Sequence, residues 1–218
     1  MMTITLGSIA PDFKASTTMG SLTFHKWLGS SWGLLFSHPK DYTPVCTTEL
    51  GVVANLHDEF SSRDVKAIAL SVDSLDSHRG WISDIEKSMN TKVNFPIIAD
   101  EHAEVAHLYG MIHKGSSETH TIRSVFVIGP EKDIKLILTY PMAVGRNFDE
   151  ILRVVDALQL SSKYPVVTPA NWKQKENVII DPSMTDKEVE EAFPNGHEKI
   201  TSYLRYTRQP GCKDQIGF

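Results

Sequence analysis

The sequence predicts an α/β fold built around a mixed central sheet. Short apolar runs bounded by polar residues, glycine or proline indicate buried strands, and apolar residues that recur every three or four positions indicate helices with one buried face. Both patterns alternate through the first three-quarters of the chain. Two strand–helix units, followed by a hairpin and a helix, favour an α/β domain whose sheet contains parallel and antiparallel strands.

The individual elements follow from the same two patterns. The predicted strands cover residues 33–37, 65–71, 124–128 and 134–140. A turn containing Gly-Pro separates the last two strands, so we expect them to form a β-hairpin. Helical spacing covers residues 22–28, 76–88 and 147–158, and it also relates Leu50, Val53, Leu56 and Phe60. This order of elements is compatible with a thioredoxin-like fold.

A second, smaller domain is expected over residues 166–218, after a first domain over residues 1–165. Charged residues and prolines become frequent there, and Thr185 with Glu188 three residues later forms a capping-box pattern at a helix start. Few apolar residues are available for a core, so contact with a partner surface would stabilise this domain. Its end is predicted to be a flexible tail.

Composition excludes several classes of function. With 218 residues, of which 41% are hydrophobic, the chain can bury a core without cross-links. The net charge is −5 and the basic residues are dispersed, so nucleic acid is not an expected partner. Two cysteines are too few for a disulfide-rich secreted scaffold. We recognise no signal peptide and no membrane-spanning segment, and therefore expect a cytoplasmic protein.

The most informative segment covers residues 37–50, where Cys46 lies at a predicted helix start. Thr43 suits the N-cap and Pro44 suits the first helical position, which makes Cys46 the third helical residue. Unpaired backbone N–H groups and the positive end of the helix dipole lie there, and both stabilise a thiolate. The hypothesis is an activated cysteine nucleophile, and the alternative is a buried structural cysteine.

The segment also resembles a known active-site motif. Pro39, Thr43 and Cys46 match the peroxiredoxin pattern Pro-x-x-x-Thr-x-x-Cys, and the longer string over residues 36–50 is similar to the 1-Cys peroxiredoxins in particular. The similarity continues through residues 123–130, 140–141, 145–153 and 203–207. The resemblance therefore covers nearly the whole chain, and it implies a thioredoxin-like domain followed by a C-terminal peroxiredoxin domain.

The resemblance implies a thiol-dependent peroxidase that reduces hydrogen peroxide and organic (lipid) hydroperoxides in antioxidant defence. Cys46 would attack the peroxide and become a sulfenic acid. Thr43 and the backbone N–H groups of the first helical turn would donate to the leaving oxygen. Pro39 would shield the thiolate from water, and Arg123 would stabilise it and orient the peroxide.

Partners are implied by the same resemblance. It implies a homodimer in which the C-terminal domain reaches over the partner. No cofactor is expected, because Cys46 carries the redox chemistry. An external thiol reductant such as glutathione or a thioredoxin-like protein must then reduce the oxidised cysteine.

Two further residues match positions near the family's pocket. His38 would hydrogen-bond the sulfur or its oxidised product, or be a plain structural histidine. Arg146 opens a predicted helix, where a cation is unfavourable for the helix dipole, and this favours a role in the site or in a salt bridge. The remaining histidines have no metal-ligand spacing with a cysteine, so no metal is predicted.

Residues 29–33 form a competing Gly-x-Ser-x-Gly pattern, typical of hydrolases. Here a helix-like stretch precedes the motif and a strand follows it, which is the reverse of a nucleophile elbow. Some 1-Cys peroxiredoxins have a phospholipase A2-type activity, attributed to a serine, a histidine and an aspartate that match Ser31, His25 and Glu131 here. Glutamate thus replaces the aspartate. Such a hydrolase stays an alternative, as does a non-catalytic redox sensor or chaperone.

Cys212, within residues 209–214, admits two interpretations. The favoured one is an incidental thiol on a flexible terminus. The other is a resolving cysteine that attacks the sulfenic acid of Cys46, because the preceding Pro-Gly hinge and the neighbouring Lys213 would suit an exposed reactive thiol.

Overall fold

The computed structural model describes residues 4–212, and the chain divides into two compact units, Met1–Phe148 and Asp149–Phe218. This division differs from the expected boundary after residue 165. The helix before that boundary belongs with the second unit because Leu160 packs there in one core cluster with Val166 and Trp172. Lys213 and the rest of the predicted flexible tail lie outside the described residues.

The first unit contains a seven-stranded mixed sheet. Its strands are β1 (Lys14–Thr17), β2 (Gly20–Thr23), β3 (Trp32–Ser37), β4 (Val65–Ser71), β5 (Ile97–Ala99), β6 (Arg123–Ile128) and β7 (Ile134–Tyr140), in the order β2-β1-β5-β4-β3-β6-β7. Strands β3, β4 and β5 are parallel, and the other pairs are antiparallel. The mixed sheet and the β6–β7 hairpin are therefore confirmed, with each predicted strand within one residue of its observed bounds.

In the part of the first unit that the structure describes, five helices accompany this sheet: α1 (Phe24–Leu28), α2 (Pro44–Asn55), α3 (His57–Ser62), α4 (Leu75–Met89) and α5 (Glu104–Leu108). The helical spacing predicted from Leu50 to Phe60 is divided between two helices, α2 and α3. The backbone leaves the helical region between them, at Leu56, with φ −88° and ψ 11°. The predicted helix over residues 22–28 is wrong in its first part, since Leu22 and Thr23 pair with β1.

The central strands place the loop that carries the cysteine motif. Every residue of β3 and β6 is buried, as expected of strands covered on both faces. Because β6 runs antiparallel to β3, with Phe36 opposite Val125, the start of β6 lies beside the end of β3. Arg123 therefore lies at the sheet edge from which the chain enters α2.

The second unit begins at Asp149, the second residue of α6 (Phe148–Lys163). The elements that follow α6 are β8 (Val166–Val167), β9 (Val178–Ile180), α7 (Asp186–Ala192), β10 (Glu198–Lys199) and β11 (Arg205–Thr207). The strands form an antiparallel sheet in the order β10-β11-β9-β8. The predicted capping box is confirmed, with Thr185 and Glu188 each accepting a hydrogen bond from the other's backbone. None of the helices within residues 4–212 has both the length and the apolar character needed to cross a membrane.

Candidate functional site

Cys46 is the third residue of α2, as the sequence predicts. Thr43 is the N-cap with extended backbone angles, and Pro44 takes the first helical position. The Thr43 side chain, however, does not cap the helix, because its hydroxyl donates to the Lys40 carbonyl at 2.8 Å. A hydroxyl has one hydrogen, so Thr43 Oγ1 is an acceptor toward any further ligand in this arrangement. This differs from the donor role expected from the resemblance.

Arg123 holds the thiol from the β6 side. Its Nη1 lies 3.3 Å from Sγ of the fully buried Cys46, and also donates to Glu49 Oε2 at 2.6 Å. Nε and Nη2 both donate to the Met142 carbonyl, at 2.9 and 2.7 Å. The guanidinium is therefore fixed on two sides, with one N–H directed at the sulfur, an arrangement that stabilises a thiolate.

Glu49 links two buried arginines one turn after Cys46. Its Oε1 accepts from the backbone N–H and Nε of Arg146 at 2.9 and 2.8 Å, and its Oε2 accepts from Nη2 at 2.6 Å. Burial alone would raise the pKa of Glu49, but its contacts with Arg146 and the charge of Arg123 outweigh burial and hold that pKa below its usual value. Sequence alone gives Glu49 no role, because its partners lie far along the chain.

Arg146 is a structural ion-pair residue in this arrangement, the second of the two roles considered from sequence. Nη1 donates to the carbonyls of Ser37 and Ser124 at 2.8 and 3.0 Å, which joins the ends of β3 and β6 to α2. The guanidinium carbon also lies 5.2 Å from the ring centroid of Phe36. Burial lowers the pKa of Arg146, although Glu49 acts in the opposite direction.

The charges in this buried group do not balance without the sulfur. Arg123 and Arg146 contribute two positive charges and Glu49 contributes one negative charge, and all three are buried. A buried uncompensated charge is unfavourable. The group therefore has a net positive charge, and one of its two guanidinium groups contacts Sγ of Cys46.

A pocket of about 370 Å³ opens beside the cysteine. It is lined by Pro39, Lys40, Thr43, Pro44, Val45, His120, Arg123 and Met142. Its lining contains no acidic residue, and most of it is apolar apart from the cationic groups. Three of the four residues predicted for the catalytic step therefore line one cavity, and the fourth, Cys46, is buried against Arg123.

The residues of the alternative hydrolase site do not form a triad. Ser31 Oγ donates to Asp64 Oδ1 at 2.7 Å, and His25 Nε2 donates to the Ala10 carbonyl at 2.8 Å. Within residues 4–212, no hydrogen bond joins Ser31 to His25, or His25 to Glu131. The serine hydrogen is held by a carboxylate, so no imidazole activates this hydroxyl.

The remaining predicted residues lie in separate surroundings. His38 is fully buried, and its carbonyl accepts from Thr121 Oγ1 at 2.7 Å. Cys212 lies in the second unit, where it is partly exposed, and both cysteines are free thiols. A resolving role for Cys212 stays a prediction, and the neighbouring Lys213 lies outside the described residues.

Comparison with known proteins gives the family. The profile of the AhpC/TSA family matches residues 6–137, and that of the C-terminal domain of 1-Cys peroxiredoxin matches residues 157–196. The 1-Cys peroxiredoxin of Dictyostelium discoideum is 49% identical, over 94% of this chain and 85% of its own length. Peroxiredoxin-6 of Mus musculus is 48% identical, over 94% of this chain and 97% of its own length.

Solved structures agree with these matches. A cysteine-to-serine mutant of peroxiredoxin 6 of Arenicola marina has a TM-score of 0.90 and 46% identity, with 96% of this chain and all of that chain covered. A yeast mitochondrial 1-Cys peroxiredoxin has a TM-score of 0.88 and 49% identity, with 94% and 99% covered. The chain belongs to the AhpC/TSA family and, within it, to the 1-Cys peroxiredoxins. It is a thiol-dependent peroxidase with a thioredoxin-like α/β fold.

Proposed function

We propose that Cys46 is the nucleophile of this peroxidase and that hydrogen peroxide and organic hydroperoxides are its substrates. The observation that carries this proposal is the buried group of two arginines and one glutamate around Sγ, whose net positive charge would be compensated by a negatively charged sulfur. A thiolate is the reactive form of cysteine toward peroxides.

The reaction is a two-electron transfer from sulfur to the peroxide. Cys46 Sγ attacks the terminal oxygen of the hydroperoxide, the S–O bond forms and the O–O bond breaks. Sulfur is oxidised to the sulfenic acid, which keeps the hydrogen of the attacked hydroxyl. The leaving oxygen is reduced and departs as an alkoxide or hydroxide, which takes up the proton that the thiol had lost and becomes an alcohol or water.

The neighbouring residues have distinct roles in this step. The Arg123 guanidinium, fixed by Met142, directs a cationic donor at the reacting atoms and stabilises the charge that moves from sulfur to oxygen. Thr43 Oγ1 accepts a hydrogen bond from the peroxide hydroxyl, because its own hydrogen is held by the Lys40 carbonyl. Pro39 lines the pocket and excludes water from it.

We also propose the partners of this reaction. The apolar walls of the pocket fit the organic part of a hydroperoxide. The solved structure of the yeast mitochondrial relative concerns thiol resolution by the glutathione and thioredoxin systems, which supports glutathione or a thioredoxin-like protein as the reductant here. The protein forms a homodimer to which the C-terminal domain contributes. Its location is cytosolic, which is consistent with two free thiols.

The test is peroxide consumption by the Cys46→Ser variant in the presence of a thiol donor. We expect consumption to stop, and turnover that persists in this variant would overturn the proposal. Cys212→Ser is the matched control, because it removes the other thiol of the chain.

The intact mass after peroxide treatment distinguishes two routes by which the oxidised cysteine is resolved. One added oxygen on both wild type and Cys212→Ser indicates one-cysteine chemistry. Loss of two hydrogens in wild type alone indicates a resolving disulfide.

A further inference from the structure

The pocket beside Cys46 contains a second oxidisable sulfur, the thioether of Met142. This residue follows β7, is partly exposed, and lines the cavity of about 370 Å³ together with Pro39 and Arg123. Peroxides oxidise a thioether as well as a thiolate, and the product is methionine sulfoxide. The cavity that admits the oxidant of Cys46 therefore brings the same oxidant to Met142.

The backbone of Met142 is fixed by the cation that contacts the thiol. Its carbonyl accepts from Nε and Nη2 of Arg123 at 2.9 and 2.7 Å, while Nη1 of the same guanidinium lies 3.3 Å from Sγ of Cys46. One planar group thus joins the main chain of Met142 to the thiol. A hydroperoxide bound against this guanidinium is held beside the Met142 side chain as well as beside Cys46.

The other methionines in the described part of the chain have different surroundings. Met111 is fully buried in the core, and Met89 packs against Gly51. Met184 packs against the core of the second unit. Met19 is 57% exposed in the turn between β1 and β2, at the edge of the sheet opposite to β7. Exposure to solvent and proximity to the pocket are therefore separated in this chain.

The state of Cys46 decides when Met142 is exposed to unreacted peroxide. While a thiol donor keeps Cys46 reduced, the cysteine reacts first, because a thiolate is a better nucleophile than a neutral thioether. Once Cys46 is a sulfenic acid, the next hydroperoxide in the cavity meets no thiolate. It then oxidises either the sulfenic acid, which becomes a sulfinic acid, or the thioether. Oxidation of Met142 is therefore expected when peroxide arrives faster than Cys46 is reduced.

We propose that Met142 is a site of oxidative modification, at which a hydroperoxide bound in the Cys46 pocket forms methionine sulfoxide and so weakens the reaction with organic hydroperoxides. This inference rests on the proposed role of the pocket. The Sδ lone pair attacks the terminal peroxide oxygen, the S–O bond forms and the O–O bond breaks. Sulfur loses two electrons, and the hydrogen of the attacked hydroxyl passes to the leaving oxygen, which departs as an alcohol or water.

The sulfoxide changes the chemical character of the cavity wall. A flexible apolar side chain becomes a polar one, and this wall faces the space that the organic part of a hydroperoxide occupies. The carbonyl that holds Arg123 belongs to the backbone, so oxidation of the side chain leaves the guanidinium in place. We therefore expect kcat/KM to fall for organic hydroperoxides and to change little for hydrogen peroxide.

The first experiment maps methionine sulfoxide by mass spectrometry of peptides from wild-type protein treated with cumene hydroperoxide in the absence of a thiol donor. We expect Met142 to be oxidised about tenfold or more faster than the more exposed Met19, because the cavity holds the oxidant beside it. Met111 is the buried reference and should stay unoxidised. Oxidation of Met19 as fast as that of Met142, or faster, overturns the inference.

The second experiment measures the consequence after dithiothreitol has reduced the sulfenic acid, a treatment that leaves methionine sulfoxide intact. The readout is the ratio of kcat/KM for cumene hydroperoxide to that for hydrogen peroxide, since protein lost as sulfinic acid lowers both rates equally. We expect this ratio to fall about tenfold in wild type and to recover with methionine sulfoxide reductase. An unchanged ratio in protein that carries the sulfoxide at Met142 overturns the inference.

Matched variants assign the effect to one residue. Met142→Leu, carried through the same treatment, should keep the ratio that it had before treatment, whereas Met19→Leu should lose it as wild type does. If Met142→Leu fails to fold, the peptide map and the reductase recovery of wild type decide. In Cys46→Ser we expect Met142 still to be oxidised ahead of Met19, because the cavity and Arg123 remain. Catalytic turnover that persists in this variant would instead reject the role of Cys46.

Discussion

Glu49 and Arg146 are joined by three hydrogen bonds across 97 positions of the chain, all of them buried. The same carboxylate also accepts from Arg123, the residue against Sγ of Cys46. Glu49 therefore positions Arg123, which contacts the sulfur. It also compensates the charge of Arg146, which hydrogen-bonds to the ends of β3 and β6. Stability and reactivity depend on one carboxylate.

Replacing Glu49 by glutamine should destabilise the fold by about 3–5 kcal/mol, because two buried guanidinium groups lose their counter-charge. Urea unfolding measures this loss. Glu150→Gln is the matched control, since Glu150 pairs with Arg153 at 2.6 Å in a partly exposed position and such pairs contribute about 1 kcal/mol or less. Equal losses in the two variants would contradict the prediction.

Arg123→Lys should reduce kcat/KM for hydrogen peroxide by about 10²–10³-fold, the cost of losing a fixed donor at a developing charge. A single ammonium cannot bind the Met142 carbonyl and contact Sγ with the geometry of a planar guanidinium. Stopped-flow oxidation of Cys46 provides the rate. Arg63→Lys, in a surface pair with Glu59, is the control and should react like wild type. A fast Arg123→Lys variant would show that positive charge alone suffices.

Thr43 should act through its acceptor lone pairs. Thr43→Val keeps the shape of the side chain and the extended N-cap backbone but removes the oxygen, so we expect kcat/KM to fall about tenfold or more with little change in stability. Thr43→Ser should retain most activity. Thr48→Val, which removes a hydroxyl bound to the Val45 carbonyl on the same helix, is the control. A Thr43→Val enzyme as fast as wild type would exclude the proposed contact.

The helix start at Cys46 could be predicted from sequence because its determinants are local. An extended residue before a proline, followed by an apolar helical face, fixes the third helical position without reference to the rest of the chain. The long apolar strands could be predicted from sequence for the same reason. The short strands β1, β2 and β5 could not be predicted in this way. Strands β1 and β2 have four residues each with few apolar positions, and β5 is an apolar run of only three residues, too short to give a pattern.

The electrostatics of the site depend on distant residues and so could not be predicted from spacing. Resemblance to the family identified Arg123 and Arg146 as candidate site residues, but only the fold shows that both bind Glu49. The Thr43 hydroxyl illustrates the same limit. A threonine before a helix suits a cap, yet a nearby carbonyl competes for its hydrogen, and the loop geometry decides the outcome.

Stability should decrease with acidification from about pH 6.5, the ordinary pKa of histidine. Burial lowers the pKa of His38 in the folded state, so between its folded and unfolded pKa values the unfolded chain binds more protons. Stability then rises with pH and is lost as the pH falls through this window. Urea unfolding at several pH values should show a smaller loss below pH 6.5 in His38→Asn than in wild type. Parallel curves would contradict a buried neutral His38.

Met142 should determine the preference for organic hydroperoxides. Its side chain lines the pocket, while its backbone carbonyl binds Arg123, so a side-chain substitution leaves the guanidinium anchored. Met142→Ser should reduce kcat/KM for cumene hydroperoxide about tenfold, the effect of one or two lost apolar groups, and leave hydrogen peroxide nearly unaffected. Met142→Leu keeps an apolar wall and is the control. An equal loss with both peroxides would mean that the substitution disturbs Arg123 instead of the contact with the organic group.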